Sequence, residues 1–431
     1  MTDRSSHPGD ALLAELAQRH LVHDHTDRAL LVERLGRSTP LYCGFDPTAD
    51  SLHIGNLQSI MLLRRLQLAG HPPYALVGGA TGMIGDPSGR SDERQFLSPD
   101  LLDANREAIG EQLRRLLDFD PGTAAATLVD NRSWTEPMGV LEFLRDVGKF
   151  VTVNTMLSRE SVRSRIDREA GISFTEFTYM LLQANDFLVL HRDHGVDLQV
   201  AGSDQWGNIA AGVDLVRRRV GDHVHGLTAP LIVRADGTKF GKSAGENIWL
   251  DAARTSPYQM YQHFLNVGDD DVENLLLRLT LVPVGECQEI LRAHLRDPQK
   301  RGGQRRLAGE LTSLVHGVAA AEAAEHATAV LFGAPLEVVD PSALELLAEE
   351  VPSTTVPRAE LVGTDPLDLF VRVGLARSKG EVRRNAAGHH LNQVALATRG
   401  EGPVSEQDLL HGRFLLLRRG KNNHHLVSAG A

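Results

Sequence analysis

The 431-residue chain has only two cysteines, Cys43 and Cys287, too few for a disulfide framework, so a reducing cytoplasm is the natural setting. No apolar run reaches membrane-spanning length, and the opening MTDRSSHPGD lacks the basic and apolar regions of a secretion signal. No Cys/His spacing fits zinc, so no resident metal is expected, and His20, His23 and His25 read as surface residues. There is no G-x-x-x-x-G-K-[ST] loop and no G-x-S-x-G elbow. The glycine-rich stretch 78–89 (GGATGMIGDPSG) does not spell G-x-G-x-x-G, which leaves a dehydrogenase-type dinucleotide site unsupported. Asn131-Arg132-Ser133 fits the glycosylation pattern, which has no meaning in a cytoplasmic protein.

What is present is an ordinary globular composition, 42% hydrophobic and 23% charged. The net charge of -11 argues against a protein that coats nucleic acid, but the charge is uneven. Residues 366–431 hold ten Lys/Arg against five Asp/Glu, a net of +5, so residues 1–365 carry -16. An acidic body with a basic tail suits a tail that meets a polyanion; charge alone leaves a merely solvated tail equally open.

Along the first half, strand-like and helix-like stretches alternate. Residues 40–46 (PLYCGFD), 74–79 (YALVGG), 197–201 (DLQVA) and 227–234 (LTAPLIVR) read as strands, and 57–69 has helical apolar spacing. This pattern predicts an α/β domain with a Rossmann-like parallel sheet over residues 1–254, with ligands beyond the carboxyl ends of its strands. Ser256 and Pro257 look like a helix start, and residues 255–332 read as an α-helical domain. Residues 333–365, rich in prolines and acids, read as a connecting segment with one short helix near 342–350. Residues 366–431 form the basic tail domain.

Three segments carry candidate chemistry. In 42–57 (YCGFDPTADSLHIGNL), His53-Ile54-Gly55-Asn56 precedes an amphipathic helix. A helix N-terminus offers unpaired N–H groups to an anion, Gly55 lets a nucleotide approach the backbone, and His53 and Asn56 can donate to phosphate or ribose. In 236–243 (DGTKFGKS), Lys239 and Lys242 sit three apart on a turn, where they can swing onto a polyphosphate. In 173–187 (SFTEFTYMLLQANDF), Ser173 and Glu176 form a capping-box pattern. Tyr179, Gln183 and Asp186 follow on one helical face. Each segment alone has a plainer reading: a capped helix entry, a solvated basic turn and an exposed polar stripe.

Together, HIGN and KFGKS resemble the HIGH and KMSKS signatures of class I aminoacyl-tRNA synthetases, and FTEFTYMLLQANDF resembles the amino-acid-binding helix of the tyrosyl-tRNA synthetases. The resemblance runs from about residue 12 to 426 in five segments. It implies that Tyr179 and Gln183 hold the substrate ammonium with Asp86 (of IGDPSG) as its anionic partner, and that Asp186 and Tyr42 meet the phenol. It places Gln199, Asp204 and Gln205 (of QVAGSDQWGN) near ribose and substrate. For ATP it implies Gly44, Asp46, Thr48, His53, Gly55, Asn56, Lys239, Lys242 and Ser243, with Arg90 and Arg94 closing over the nucleotide, although Arg90 stands where the family often has lysine. Catalysis is expected from His53, Asn56, Thr48, Lys239 and Lys242 through placement and charge stabilisation, without a protein nucleophile.

The tail resembles an S4-type α+β RNA-binding domain. Arg377, Lys379, Arg383 and Arg384 lie on and around its helix, and Arg413, Arg418, Arg419 and Lys421 near a second strand-like run, for tRNA phosphates. The stretch 386–394 (AAGHHLNQV) departs from that domain's usual turn. The resemblance also implies tRNA(Tyr), L-tyrosine and ATP with Mg²⁺ as ligands, no tightly bound cofactor and a homodimer. It further implies discrimination against phenylalanine of about 10⁵ without editing, this family being the very case from which that figure is taken. A synthetase-derived RNA-binding or regulatory paralogue and a tRNA-independent adenylating enzyme remain as alternatives. A tryptophan site fits less well, because an indole nitrogen only donates.

Overall fold

A computed structural model describes residues 7–88, 96–159, 162–163, 166, 171–238, 240–243, 246–336, 339–400, 402–420 and 423–430, with backbone only at 242, 243 and 246. Arg90, Arg94, Lys239 and Lys421 therefore lie outside the described residues, as do the side chains of Lys242 and Ser243. The chain divides into two compact units, residues 1–255 with 266–307, and residues 256–265 with 308–431.

The first unit is built on a five-stranded sheet: β1 Leu41–Phe45, β2 Pro73–Val77, β3 Thr127–Asp130, β4 Leu198–Gly202 and β5 His225–Ala229, in the order β3-β2-β1-β4-β5. All four pairings are parallel. The winding runs outward from β1 through β2 to β3, then returns to β4 on the other side of β1. That reversal opens a crevice beyond the carboxyl ends of β1 and β4. Strands in such a sheet are covered on both faces, which is why LYCGF and LQVAG are buried almost throughout rather than alternating.

The expected strand at 227–234 ends early, at Ala229, because Pro230 has no N–H to give the ladder. The helix Phe174–His194 starts as its capping pattern predicts: Ser173 Oγ accepts the Glu176 N–H at 3.2 Å. It stops at Gly195, whose φ of +66° a residue with a Cβ adopts only at a cost. The helix Ile54–Leu68 packs behind β1, β2 and β4 and buries most of its length.

The five helices between 257 and 331 are distributed over both units. Ser256 Oγ accepts the Gln259 N–H at 3.1 Å at the start of the first of them, Pro257–Leu265. The second unit contains a mixed sheet of order β10-β9-β11-β12-β8. Its strands are β8 Ser353–Pro357, β9 His389–Leu391, β10 Val394–Ala395, β11 Phe414–Arg419 and β12 Asn423–Gly430. Two short strands in the first unit, β6 Lys242–Ser243 and β7 Glu246–Asn247, pair with each other. Along β11 the side chains alternate: Phe414 and Leu416 enter a core with the helices Val318–Leu331 and Pro341–Glu350, while Leu415 and Leu417 enter a core on the opposite face.

The stretch 333–365 is more than a connector. Besides the helix Pro341–Glu350, capped by Asp340, it supplies β8, which pairs in parallel with β12. Prolines and acids hid a strand whose partner lies some seventy residues on. Among the described residues, no helix is long and apolar enough to cross a membrane.

Candidate active site

A cavity of about 760 Å³ lies at the carboxyl ends of the parallel strands. Its lining includes Tyr42 and Gly44 from β1, Asp46 and Thr48 just past its end, and His53, Gly55 and Asn56 from the helix entry. It also includes Asp86, Tyr179, Gln183 and Asp186, and Gln199, Asp204 and Gln205 from β4 and its exit. The polar stripe of the helix Phe174–His194 thus faces the cavity and not solvent. Tyr42 and Gln199, cross-strand neighbours in the β1–β4 register, stand side by side.

At the buried end, Asp186 is 2% exposed. Its Oδ1 accepts from Trp134 Nε1 at 2.8 Å and its Oδ2 from Asn131 Nδ2 at 3.0 Å. Burial pushes its carboxyl up to about 7 against the opposing pull of those two donors. Tyr42 is 1% exposed, stacks edge-on against Phe187, and its hydroxyl has no hydrogen-bond partner among the described residues. Burial, then the neighbouring Asp186 charge, hold that phenol well above its ordinary pKa, so the group is a neutral hydroxyl. Gln199 Oε1 is likewise buried without a partner among the described residues. Two buried polar atoms left unpaired in one cavity are costly unless a ligand satisfies them.

The remaining polar groups are strung together. Tyr179 donates to Asp46 Oδ2 at 2.9 Å and Thr81 to Asp46 Oδ1 at 2.7 Å. Asn131 Nδ2 also donates to Thr81 Oγ1 at 3.0 Å and its Oδ1 accepts the Ala80 N–H at 2.8 Å, which connects this string to Asp186. A second string runs through Asn208, whose Nδ2 donates to Gln183 and to Gln205 at 3.0 Å each; Gln205 donates on to Asp86 at 2.6 Å. Burial, then the Asp46 charge, raise the Tyr179 hydroxyl well above its ordinary value, so it remains a donor.

The other end is shaped by the helix entry. The His53 N–H donates to Asn56 Oδ1 at 3.1 Å, and His53 Nδ1 accepts the Gly55 N–H at 3.0 Å. Asn56 spends its oxygen on this cap, which leaves its amide N–H groups outside it. Gly55 leaves room for the His53 ring: a Cβ there would stand 2.7 Å from His53 Cε1. Cys43, also in the lining, is a buried thiol pushed up to about 12 by burial.

Several functional residues escaped sequence reasoning. Asn131, read only as a glycosylation pattern, is fully buried and organises Asp186, Thr81 and Ala80. Trp134, Thr81, Asn208 and Trp249 were also missed. The one local signal was the i, i+3 placement of Asn131 and Trp134 just past β3.

In the second unit the basic side chains meet different fates. Arg377, Arg383 and Arg384 are exposed on and beside the helix Lys379–Arg384. Lys379 pairs with Asp368 at 2.7 Å, Arg413 with Glu345 at 2.9 Å, and Arg419 with Glu381 at 2.9 Å. Glu381 also accepts the Arg377 backbone N–H at 2.8 Å, so it ties the helix cluster to the strand cluster. Arg418 Nε is buried without a partner among the described residues.

The profile of tRNA synthetases class I (W and Y) matches residues 34–333. A tyrosine--tRNA ligase of Anaeromyxobacter dehalogenans (strain 2CP-1) is 49% identical over 421 residues, 96% of this chain and 99% of its own length. A tyrosine--tRNA ligase of Opitutus terrae is 47% identical over 421 residues, again 96% and 99%. Among solved structures, a C-terminally truncated Aspergillus nidulans mitochondrial tyrosyl-tRNA synthetase is similar with a TM-score of 0.67 and 33% identity, covering 74% of this chain and 94% of that one. The tyrosyl-tRNA synthetase from Archaeoglobus fulgidus, at 16% identity and a TM-score of 0.55, shares the fold.

Proposed function

Because the chain belongs to the bacterial tyrosyl-tRNA synthetases of class I, ligases that use ATP to join L-tyrosine to tRNA(Tyr), we propose a division of that work among its residues. Asp186 and Tyr42 hold the substrate phenol: the carboxylate accepts its proton and the Tyr42 hydroxyl bonds its oxygen. Tyr179, Gln183 and Asp86 hold the ammonium, with Gln199 and Gln205 alongside. His53, Asn56 and Thr48, with Lys239 and Lys242, take the ATP phosphates, assisted by Ser243, Arg90 and Arg94. Gly44, Asp46, Gly55 and Asp204 line the nucleotide's place. A tyrosine carboxylate oxygen then bonds the α-phosphorus while the bond to the bridging oxygen breaks and pyrophosphate leaves. A terminal ribose hydroxyl of the tRNA next attacks the carbonyl carbon and AMP leaves. Donors fixed before the reaction stabilise the charge that moves to the leaving phosphates.

The observation that carries this reading is the Tyr42 hydroxyl, buried beside Asp186 with no partner among the described residues. A para-hydroxyl supplies the partner that the Tyr42 hydroxyl lacks and a further donor to Asp186, and an unsubstituted ring supplies neither. The test is amino-acid-dependent exchange of pyrophosphate into ATP, followed by tRNA charging. Exchange with tyrosine, and neither phenylalanine nor tryptophan, is expected. Equal exchange with phenylalanine would sink the assignment of Tyr42 and Asp186.

Five finer points join the proposal. Mg²⁺ arrives on the ATP phosphates; among the described residues no group of three or more His, Cys, Asp or Glu side chains could hold an ion of its own. The exposed apolar set Val140, Leu141, Leu144, Val153 and Leu157 on two successive helices supports a homodimer, which sedimentation at the monomer mass would refute. Cytoplasmic residence is supported by two free, buried cysteines. Arg377, Lys379, Arg383, Arg384, Arg418, Arg419 and Lys421 are proposed as tRNA contacts, and the domain limits 1–254, 255–332, 333–365 and 366–431 as the functional parts.

A further inference from the structure

The segment that follows KFGKS is laced to the entry of the HIGN helix. The Ile54 N–H donates to Ile248 O at 3.0 Å and the Leu250 N–H to Leu52 O at 2.8 Å, which sets His53 opposite Trp249 in an antiparallel bridge. The Ile248 N–H donates in turn to Gly241 O at 2.9 Å, inside the second signature. The Trp249 ring meets the His53 imidazole edge to face, with centroids 6.0 Å apart and planes at 65°. Arg254 lies over the indole, its Cζ 4.5 Å from the ring centroid, and is itself held by Asp50 at 2.5 Å.

His53 has one more restraint. A backbone N–H can only donate, so the bond from Gly55 N–H to Nδ1 requires a lone pair on Nδ1. In the neutral ring the proton therefore sits on Nε2. A ring fixed on one side by a backbone donor and on the other by an aromatic neighbour has little rotational freedom left. A donor that need not be ordered first contributes more to the transition state than one that must be.

We propose that Trp249, seated under Arg254, is a positioning residue for tyrosine activation: with the Gly55 N–H, it fixes the His53 imidazole so that Nε2–H is presented to the ATP phosphates. The inference rests on the reading of His53 as a phosphate ligand. Trp249 lines the cavity and Arg254 is not among its lining residues, so the two can be told apart by mutation. An aromatic pair and a cation–π contact each constrain a ring without forming part of the reaction.

The experiment is tyrosine-dependent pyrophosphate exchange by the full chain. Trp249→Ala is expected to lower kcat about tenfold with the KM for tyrosine unchanged, a loss of the size one aromatic contact confers. Trp249→Phe, which keeps an aromatic face, is expected to restore most of it. Arg254→Met, outside the cavity lining, is expected to lower kcat about threefold. The double variant His53→Ala/Trp249→Ala should be no slower than His53→Ala alone, because a positioning residue has nothing left to position. Nitrogen NMR of the imidazole should show the Nε2–H tautomer in the parent and a mixture in Trp249→Ala. Effects that multiply in the double variant would overturn the proposal. So would Trp249→Ala that raises the KM for ATP at unchanged kcat, which would make the indole a nucleotide contact. Full exchange by His53→Ala would remove the phosphate role of His53 and the proposal with it, whereas a parent that exchanges with no tyrosine dependence would count against the substrate assignment alone.

Discussion

At the end of the cavity proposed for tyrosine the side chains are buried and several hydrogen-bond to one another; at the end proposed for the phosphates they are more open and are held by the backbone of a helix entry. Asp186, Tyr42, Tyr179 and Gln199 are all buried, and Asp186 and Tyr179 belong to one hydrogen-bonded string. His53 and Asn56 are half-buried, Thr48 and Gly55 are exposed, and the cap ties His53 to Asn56. A buried network is selective because an unsatisfied member is expensive. An open, capped helix start accepts charge from a ligand that varies little. The two ends should therefore fail differently: the first through substrate choice and stability, the second through turnover.

The largest effect is expected at Asp186. Asp186→Ala removes the proposed acceptor for the substrate phenol and leaves Trp134 Nε1–H and Asn131 Nδ2 without their shared partner. Tyrosine-dependent exchange should fall by about 10³-fold or more. A loss below tenfold, measured as kcat/KM for tyrosine, would show that the phenol is read elsewhere.

The same carboxyl gives a pH test of the buried end. Its pKa in the folded chain, about 7, lies above the ordinary 3.8, so the folded state binds a proton that the unfolded state has released. That contribution to stability is full below about pH 4 and is lost as pH rises through about 7, a decline of up to about 4 kcal/mol for a rigid site. Asp186→Asn should flatten this part of the stability curve, read as denaturation midpoints at pH 5 and pH 8. An unchanged slope would mean that the charge is not penalised by burial.

At the phosphate end, Gly55→Ala puts a Cβ 2.7 Å from His53 Cε1, so the imidazole must leave its cap. Turnover in pyrophosphate exchange should fall by about 30-fold while tyrosine binding is unchanged. Folding stability should hold, because alanine is the better helix former by about 1 kcal/mol. A rise in the KM for tyrosine of the same size would break the separation of the two ends.

The difference between the ends also decides how much could be read from the chain. The HIGN entry is local: a cap, a glycine and an amide within four residues, next to a helical apolar pattern. The stripe of Tyr179, Gln183 and Asp186 is local as well, because a helix places residues four and three apart on one face. Sheet order is not local. Asn131 and Trp134 reach Asp186 because β3 lies two strands from β1 on one side and the helix Phe174–His194 shares a core with β2, β3 and Trp134, and nothing within NRSW announces that meeting. β3 itself, Thr127–Asp130, is short and mostly half-exposed, so it lacked the continuous apolar run that marked its neighbours. β8 was hidden in the same way, by prolines at both ends and a partner strand remote in sequence.

The smallest expected effect is the sharpest test of the comparison. Tyr42→Phe removes one oxygen that is buried and unpaired among the described residues. Deleting such a group relieves a desolvation cost, so the folded chain should become more stable by about 1 kcal/mol, seen as a higher denaturation midpoint. The KM for tyrosine should meanwhile rise about tenfold, the worth of one hydrogen bond to the substrate hydroxyl, and exchange with phenylalanine should not change. Opposite signs for stability and substrate affinity at one atom are what a site built around an absent hydroxyl requires. A loss of stability with unchanged KM would mean that the hydroxyl serves the protein and not the ligand, and the tyrosine end would then be a core like any other.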